Sequence, residues 1–208
     1  VAILLGLGAG RFGPTQLVPL PTNSFPHDTV VADLNRDGKL DAIVVCWGTA
    51  KVGILLGLGD GAFAASAFFS VGSNPQTGCA IVDFDEDGHL DIATGDAFAS
   101  SFTILFGDGT GSFPRRRDIN ATGASQPHGV DAADLNGDGH FDLAVTGRLS
   151  NSVAFFKGDG TGDFTPTSAA SVGTQPRFVR LIDVNRDGKF DVLTANESGS
   201  SISVALGT

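Results

Sequence analysis

The sequence predicts an all-β fold, a β-propeller built from four-stranded antiparallel blades of about 50 residues, and three observations carry that prediction. The segment at residues 33–41 (DLNRDGKLD) recurs at 83–91 (DFDEDGHLD), 134–142 (DLNGDGHFD) and 183–191 (DVNRDGKFD). A glycine-rich turn ending in Phe12, Phe63, Phe113 and Phe164 keeps the same phase. So do Pro26, Pro75, Pro127 and Pro176, each placed before an acidic segment. Three independent markers sharing one period make an array of supersecondary units, and four short strands in a unit of this length describe a propeller blade.

Each element of the unit follows from its residues. Strand a is short and leads into the acidic loop, as at 29–32 (TVVA) and 80–82 (AIV). Strand b leaves the loop, as at 40–45 (LDAIVV) and 141–145 (FDLAV). Strand c precedes the glycine-rich turn (52–56, VGILL; 153–156, VAFF), and strand d follows it and ends near the proline turn. Apolar β-branched and Phe-rich runs bounded by Gly, Asp and Pro, with an apolar period of two, read as strands. No segment sustains a 3.6-residue period with helix caps, which excludes helical solenoids. The units fall at residues 26–74, 75–125 and 126–174, with strands c and d of a partial blade at 1–25 and strands a, b and c of another at 175–208. That order closes neither a four-blade nor a five-blade ring. The chain therefore reads as one repeat domain in an incomplete ring: a piece of a larger ring or array, or the ordered part of a longer chain.

Composition narrows the function classes. The 208 residues carry 23 acidic and 13 basic side chains, a net charge of -10, which argues against nucleic acid and against an anionic membrane surface as partners. The apolar runs are far shorter than a membrane-spanning helix requires, so no membrane insertion is expected.

The acidic loops place oxygen ligands at positions 1, 3 and 5, a glycine at 6 and a carboxylate at 9. Alternate side chains converge on one point while the glycine permits a sharp turn, and the carbonyl of position 7 adds another oxygen. This is a cage for a hard cation, and Ca²⁺ accepts six to eight such oxygens with loose geometry. The four proposed sites are Asp33, Asn35, Asp37 and Asp41 with the Lys39 carbonyl; Asp83, Asp85, Asp87 and Asp91 with the His89 carbonyl; Asp134, Asn136, Asp138 and Asp142 with the His140 carbonyl; and Asp183, Asn185, Asp187 and Asp191 with the Lys189 carbonyl. The alternative is an Asp-, Asn- and Gly-rich hairpin turn without metal. An EF-hand is excluded because position 12 is Val44, Thr94, Val145 and Thr194, in strand patterns rather than a bidentate Glu. Thirteen of the 23 acidic residues are proposed ligands, and four Ca²⁺ ions would bring the net charge from -10 to about -2.

On the DxNxDGxxD loop and the GxGxGxF-like turn, the chain resembles the FG-GAP/VCBS repeat family, the calcium-binding blades of integrin α-subunit propellers, fungal propeller lectins and bacterial surface proteins. The resemblance covers essentially all of the chain, although no clear Gly-Ala-Pro element is present. It implies structural Ca²⁺, an extracellular or cell-surface setting, and ligand binding more often than catalysis.

In a meander of four strands, the a–b and c–d loops share one face and the b–c and d–a loops the other. Calcium loops and glycine-rich turns therefore lie together, and the non-repeating residues gather opposite them, where loops on a rigid scaffold carry function. The candidate ligand-binding residues there are Trp47, His27, Asp28, His128, Arg148 and Arg177. Trp47 is either a sugar-stacking platform or a cap on the core between blades; His27 and His128 either bind ligand or bond a neighbouring blade. His89 and His140 are expected to face solvent, and Phe12, Phe63, Phe113 and Phe164 to pack the blades. The run Arg115-Arg116-Arg117 either blunts an exposed strand edge or docks an acidic partner. Cys46 and Cys79 read as buried free thiols, with an inter-blade disulfide as the other option.

Three function classes follow: a calcium-stabilised binding or adhesion module for a glycan or protein; a structural protein whose unfinished blades associate between chains into a homo-oligomer or larger assembly; and an enzyme. No Ser/His/Asp set, zinc-ligand cluster or phosphate loop is visible in the sequence, and the carboxylates that could do acid/base work are mostly committed to the metal loops, leaving scattered candidates such as Asp28, Asp96 and Glu197. The sequence is read as that of a non-enzyme.

Overall fold

The computed structural model describes every residue except Ala65. Three complete four-stranded antiparallel sheets follow one another along the chain. The first is β5 (Pro26–Ala32), β6 (Asp41–Cys46), β7 (Lys51–Leu55) and β8 (Ala67–Ser70). The second is β9 (Pro75–Val82), β10 (Asp91–Asp96), β11 (Ser101–Phe106) and β12 (Arg115–Asn120). The third is β13 (Pro127–Ala133), β14 (Asp142–Gly147), β15 (Ser152–Gly158) and β16 (Phe164–Ser171). A three-stranded sheet comes after them: β17 (Pro176–Ile182), β18 (Asp191–Asn196) and β19 (Ser201–Ala205). Before them, β1 (Ala2–Ile3) pairs with β4 (Gln16–Leu17), and β2 (Gly6–Gly8) with β3 (Arg11–Phe12). These are the blades of a β-propeller, and among the described residues no ladder joins the first sheet to the last, so the ring is not closed by strand hydrogen bonds.

Strand a is longer than its apolar run suggested. Each marker proline opens it rather than forming the turn before it, as a residue without an N–H can at a strand start. The reversal falls instead on the preceding residue, where Phe25, Asn74, Gln126 and Gln175 all have positive φ.

Strand b departs from the alternation expected of it. All six residues of β6, β10 and β14 are buried, because each complete sheet is covered on both faces by its neighbours. The core is accordingly a set of layers between sheets. One layer joins Ile43, Val45, Val52 and Ile54 of the first sheet to Cys79, Ile92, Leu105 and Phe113 of the second. The next joins Phe84, Phe102 and Phe106 to Leu143, Val145 and Phe156. There the Phe102 and Phe156 rings meet edge-on with centroids 4.8 Å apart, a geometry that suits their quadrupoles. A smaller layer of Val153, Val179 and Val192 seats the three-stranded sheet.

Three of the four turn phenylalanines pack against core, Phe63 on a further cluster of Ala42, Val44, Cys46 and Leu55. Phe113 is 5% exposed and enters the layer between the first two sheets, and Phe164 packs edge-on against Phe84 and Phe102. Phe12 is 65% exposed, correcting the expectation of a core role, because β2 and β3 lie wholly exposed, with no layer around them. Cys46 and Cys79 are both buried and unbonded, and burial pushes the Cys79 thiol up to about 12.

The inner strands are laced across sheet boundaries. Asp28 accepts the Gly78 N–H at 2.9 Å, and Asp131 accepts that of Leu181 at 2.8 Å. Gly129 is needed where they crowd, since a Cβ on it would lie 2.6 Å from the Arg177 carbonyl oxygen.

One polar network runs through the second sheet, from buried Asp96 and Thr103 to Asp118 on the exposed edge strand. The Thr103 hydroxyl lies 2.6 Å from Asp96 Oδ2 and 2.8 Å from Asp118 Oδ1, while accepting the Gly72 N–H at 3.1 Å. A hydroxyl has a single proton, so two ionised carboxylates cannot both accept from it. Partial burial opposes ionisation of Asp118, yet its two bonds to the Arg116 guanidinium and the Thr103 hydroxyl hold it below the usual carboxylate range. Asp96 is fully buried, and burial pushes it up to about 7, so Asp96 carries the extra proton and donates it to Thr103.

Candidate functional site

The acidic loops owe their shape to two left-handed residues each. Position 4 has φ of 57° at Arg36, 57° at Glu86, 77° at Gly137 and 64° at Arg186, and the glycine at position 6 also has positive φ. With the chain reversed twice, the position-1 carboxylate accepts the N–H of position 6, as Asp33 does from Gly38 at 2.9 Å and Asp83 from Gly88 at 2.8 Å. The position-5 carboxylate accepts the N–H of position 7, as Asp87 does from His89 at 2.8 Å.

The position-9 carboxylate has a structural task that sequence reasoning missed. Asp41, Asp91, Asp142 and Asp191 open strand b and are buried. One oxygen accepts a loop N–H from Leu34, Phe84, Leu135 or Val184, at 2.8 to 3.0 Å. The other accepts the first glycine N–H after strand c, from Gly57, Gly107, Gly158 or Gly207, at 2.8 or 2.9 Å. A single side chain thus ties the acidic loop to the glycine-rich turn, which puts both on one face. The equal spacing of Asp and Gly in every repeat is the signal that could have revealed it.

The oxygens left over can be tested against a cation. In the second loop, one carboxylate oxygen from each of Asp83, Asp85 and Asp91 lies within 4.8 Å of the others. Oδ1 of Asp83 and Oδ1 of Asp85 are buried without any hydrogen-bond partner. Burial pushes the Asp91 carboxyl up to about 7, with the charges of Asp85 and Asp83 adding to the effect. An all-oxygen donor set with orphaned, mutually repelling carboxylates fits a hard divalent cation. The other three loops share the backbone framework, the position-1 carboxylate accepting the N–H of position 6, but among the described residues only the second loop brings three carboxylates this close.

His89 and His140 do not face solvent freely. Each ring lies over its own glycine-rich turn, at Gly109 and Gly160, and both side chains are half-buried. His140 also pairs with Glu86 of the preceding loop, which raises its pKa. Arg36 donates to the Gly88 carbonyl, so neighbouring acidic loops are linked in sequence. The arginine run begins β12, an edge strand, and each of its members is ion-paired: Arg115 with Asp85, Arg116 with Asp118, Arg117 with Asp163.

The opposite face separates the six candidate ligand residues into two groups. Trp47, in a 3-10 turn (Trp47–Thr49), stacks on Phe25 at 5.3 Å and meets His27 at 5.8 Å between ring centroids. It remains 39% exposed. The second group joins the third and fourth sheets. Arg148 donates to Gln126 at 3.2 Å, to Gln175 at 2.7 Å and to Glu197 at 3.3 Å, and Arg177 donates to the same Glu197 oxygen at 2.8 Å. Those two guanidiniums hold Glu197 below its usual range. His128 is buried, and burial together with the charges of Arg177 and Arg148 lowers its pKa below the usual imidazole value. Asp28 stands apart, its oxygens taken by the N–H groups of Gly78 and Thr29. Sequence reasoning placed Arg148 and Arg177 on this face but missed the convergence of Gln126, Gln175 and Glu197 on Arg148. The repeated Gln-Pro at 126–127 and 175–176 was the available signal.

Repeated sheets stacked around an axis, with a constant loop face and a variable one, define a binding or structural module of the β-propeller class. The FG-GAP-like repeat model matches residues 1–44, 83–145 and 134–194, and the chain belongs to that family. No curated protein matches the sequence. Among solved structures, a streptogramin B lyase is similar with a TM-score of 0.60 and 15% identity, over 94% of this chain and 60% of that one. The exo-β-1,3-galactanase of Phanerochaete chrysosporium is similar with a TM-score of 0.55 and 14% identity, over 95% of this chain and 58% of that one. The V. cholerae biofilm matrix protein Bap1 gives 0.52 and 17%, over 85% of this chain and 26% of that one. The chain thus spans at most about three-fifths of these proteins, and at such identities the likeness is one of fold. The propeller and its repeats suggest a non-catalytic module, while some proteins of similar fold are enzymes.

Proposed function

We propose that this chain is a calcium-stabilised extracellular or cell-surface module that binds a glycan or protein ligand through the face opposite its acidic loops. The observation that carries the reading is the division of labour between the two faces. The repeating carboxylates and glycines hold the blades in shape on one side. On the other, residues without counterparts in the remaining repeats form an exposed aromatic group around Trp47 and a charged group around Arg148, Arg177 and Glu197. An aromatic face offers apolar area to a sugar ring or an apolar side chain, and paired guanidiniums offer forked donors to carboxylate or hydroxyl oxygens. His27 and His128 flank the two groups, and Asp28 holds the inner strands together beneath them.

The test is a glycan and protein array probed in Ca²⁺ and again in chelator. Binding that is lost in chelator and abolished by Trp47→Ala or Arg148→Ala supports the reading; hits unaffected by either change overturn it. The three carboxylates singled out as acid/base candidates are poorly placed for such work: Asp28 is spent on backbone N–H groups, Asp96 is buried inside a sheet and Glu197 is paired with two arginines.

A second reading, self-association through unfinished blades, is favoured by apolar side chains open to solvent on the two end sheets. They include Leu7 and Phe12 at one end and Ile202 and Leu206 at the other. It predicts oligomers that grow with concentration in sedimentation velocity, and a strictly monomeric particle overturns it.

A further inference from the structure

The second acidic loop differs from the other three at one ligand position. Position 3 is Asn35, Asn136 and Asn185 elsewhere, but Asp85 here, so this loop offers four ligand carboxylates where each of its counterparts offers three. A cation stands against that extra carboxylate. Arg115, the first residue of β12, pairs with Asp85 Oδ2, and its guanidinium carbon lies 3.8 Å above the centre of the Phe106 ring. Stacking on an aromatic face holds a guanidinium in place while leaving its edge free to donate. Counted from the turn phenylalanine, the same position in the other units is Pro14, Ala65 and Pro166, none of them charged. The additional carboxylate and the additional cation therefore occur in the same unit and touch one another.

The pairing leaves the ligand oxygens free. Arg115 takes Oδ2 of Asp85, whereas Oδ1 of Asp85 and Oδ1 of Asp83 are buried and without partners. We propose that Arg115 is an outer-sphere partner of the second loop: it cancels the charge that Asp85 adds, so that the Asp85–Arg115 pair replaces the neutral Asn of the other loops and sets this loop's affinity for a divalent cation. The inference rests on the reading of the loops as calcium sites. Removing the guanidinium leaves the Asp85 charge uncompensated beside Asp83 and Asp91. The loop then attracts a doubly charged ion more strongly and repels itself more strongly when empty. Because Arg115 is half-exposed, solvent screening limits the first effect to roughly tenfold.

The experiment is calorimetric titration of the metal-free protein with CaCl₂, alongside thermal melts in chelator. It uses the wild type, Arg115→Gln, Asp85→Asn and the double variant, with far-ultraviolet circular dichroism confirming that each is folded. Asp85→Asn identifies which binding step belongs to this loop. Arg115→Gln is expected to tighten that step about tenfold, more at low salt, and to lower the melting temperature in chelator; the double variant returns both towards the wild type. Calcium binding with an isotherm unchanged by Arg115→Gln overturns the proposal alone, as does a double variant that restores neither property. A wild type that takes up no Ca²⁺ and melts alike with and without chelator overturns the calcium reading and the proposal together.

Discussion

Replacing Asp96 by Asn should leave the protein increasingly more stable than the wild type as pH rises. In the second sheet the neutral Asp96 carboxyl donates to Thr103, which donates to Asp118, itself held ionised by Arg116. The charges facing the buried carboxyl are those of Asp118 and Arg116, and Gly72 closes the network from the neighbouring chain segment. The folded pKa of Asp96, about 7, lies above its ordinary value of 3.8. The neutral carboxyl therefore contributes stability that is whole below the unfolded pKa and is lost as pH rises through the folded one. Between pH 5 and pH 8.5 that loss amounts to about 2 to 3 kcal/mol, and an amide escapes it. The fold already accommodates the amide at the matching position of the last sheet. There Asn196 accepts from Thr194 and donates to Ser203, while Ser203 accepts the Gly173 N–H as Thr103 accepts that of Gly72. Urea denaturation of both proteins at pH 5 and pH 8.5 in excess Ca²⁺ measures the difference. If the two stabilities run parallel across that range, Asp96 is not the neutral member of the network and the proton count is wrong.

On the proposed reading of the four loops as Ca²⁺ sites, chelation is expected to lower the melting temperature by about 10 °C or more, since it would leave carboxylates without their cation; an unchanged calorimetric melt would contradict a structural metal. Gly107→Ala should cost about 3 kcal/mol or more in equilibrium unfolding, because the new Cβ would lie 2.3 Å from the Leu90 carbonyl oxygen, where backbone must give way. Phe102→Ala should cost about 3 to 5 kcal/mol by emptying the layer where its ring meets Phe156 and Phe164. Trp47→Ala should change stability by less than about 1 kcal/mol, since its ring is at the surface, while removing ligand capture on the array.

The blades were legible because their punctuation repeats: the acidic loop, the glycine turn and the proline recur in phase, the first two reversing the chain and the proline opening the strand that follows a reversal. The limits of the elements were less so. Pro26 looked like a turn residue because proline lacks a donor, yet that property equally suits the first residue of a strand. Strand b looked half-exposed because Asp41 and Thr94 interrupt its apolar run, and both are buried polar residues inside stacked sheets. On the variable face the residue types were visible, but the meeting of Arg148, Gln175 and Glu197 depends on how two sheets splay, which no local pattern encodes. The pairing of Arg115 with Asp85 was hidden for the same reason: 30 residues and a strand crossing separate them.

The last glycine of each turn has a consequence for how such a chain can lengthen. Gly61 lies against Leu5, Gly111 against Leu56 and Gly162 against Phe106, each partner coming from the strand-c end of the sheet before. A unit thus carries a socket for its predecessor and a plug for its successor, while its Asp-to-glycine tie is wholly internal. Tandem duplication of one such segment reproduces both halves of the joint without any new complementary change. Sheets can therefore be added or lost one at a time while every surviving junction keeps its fit.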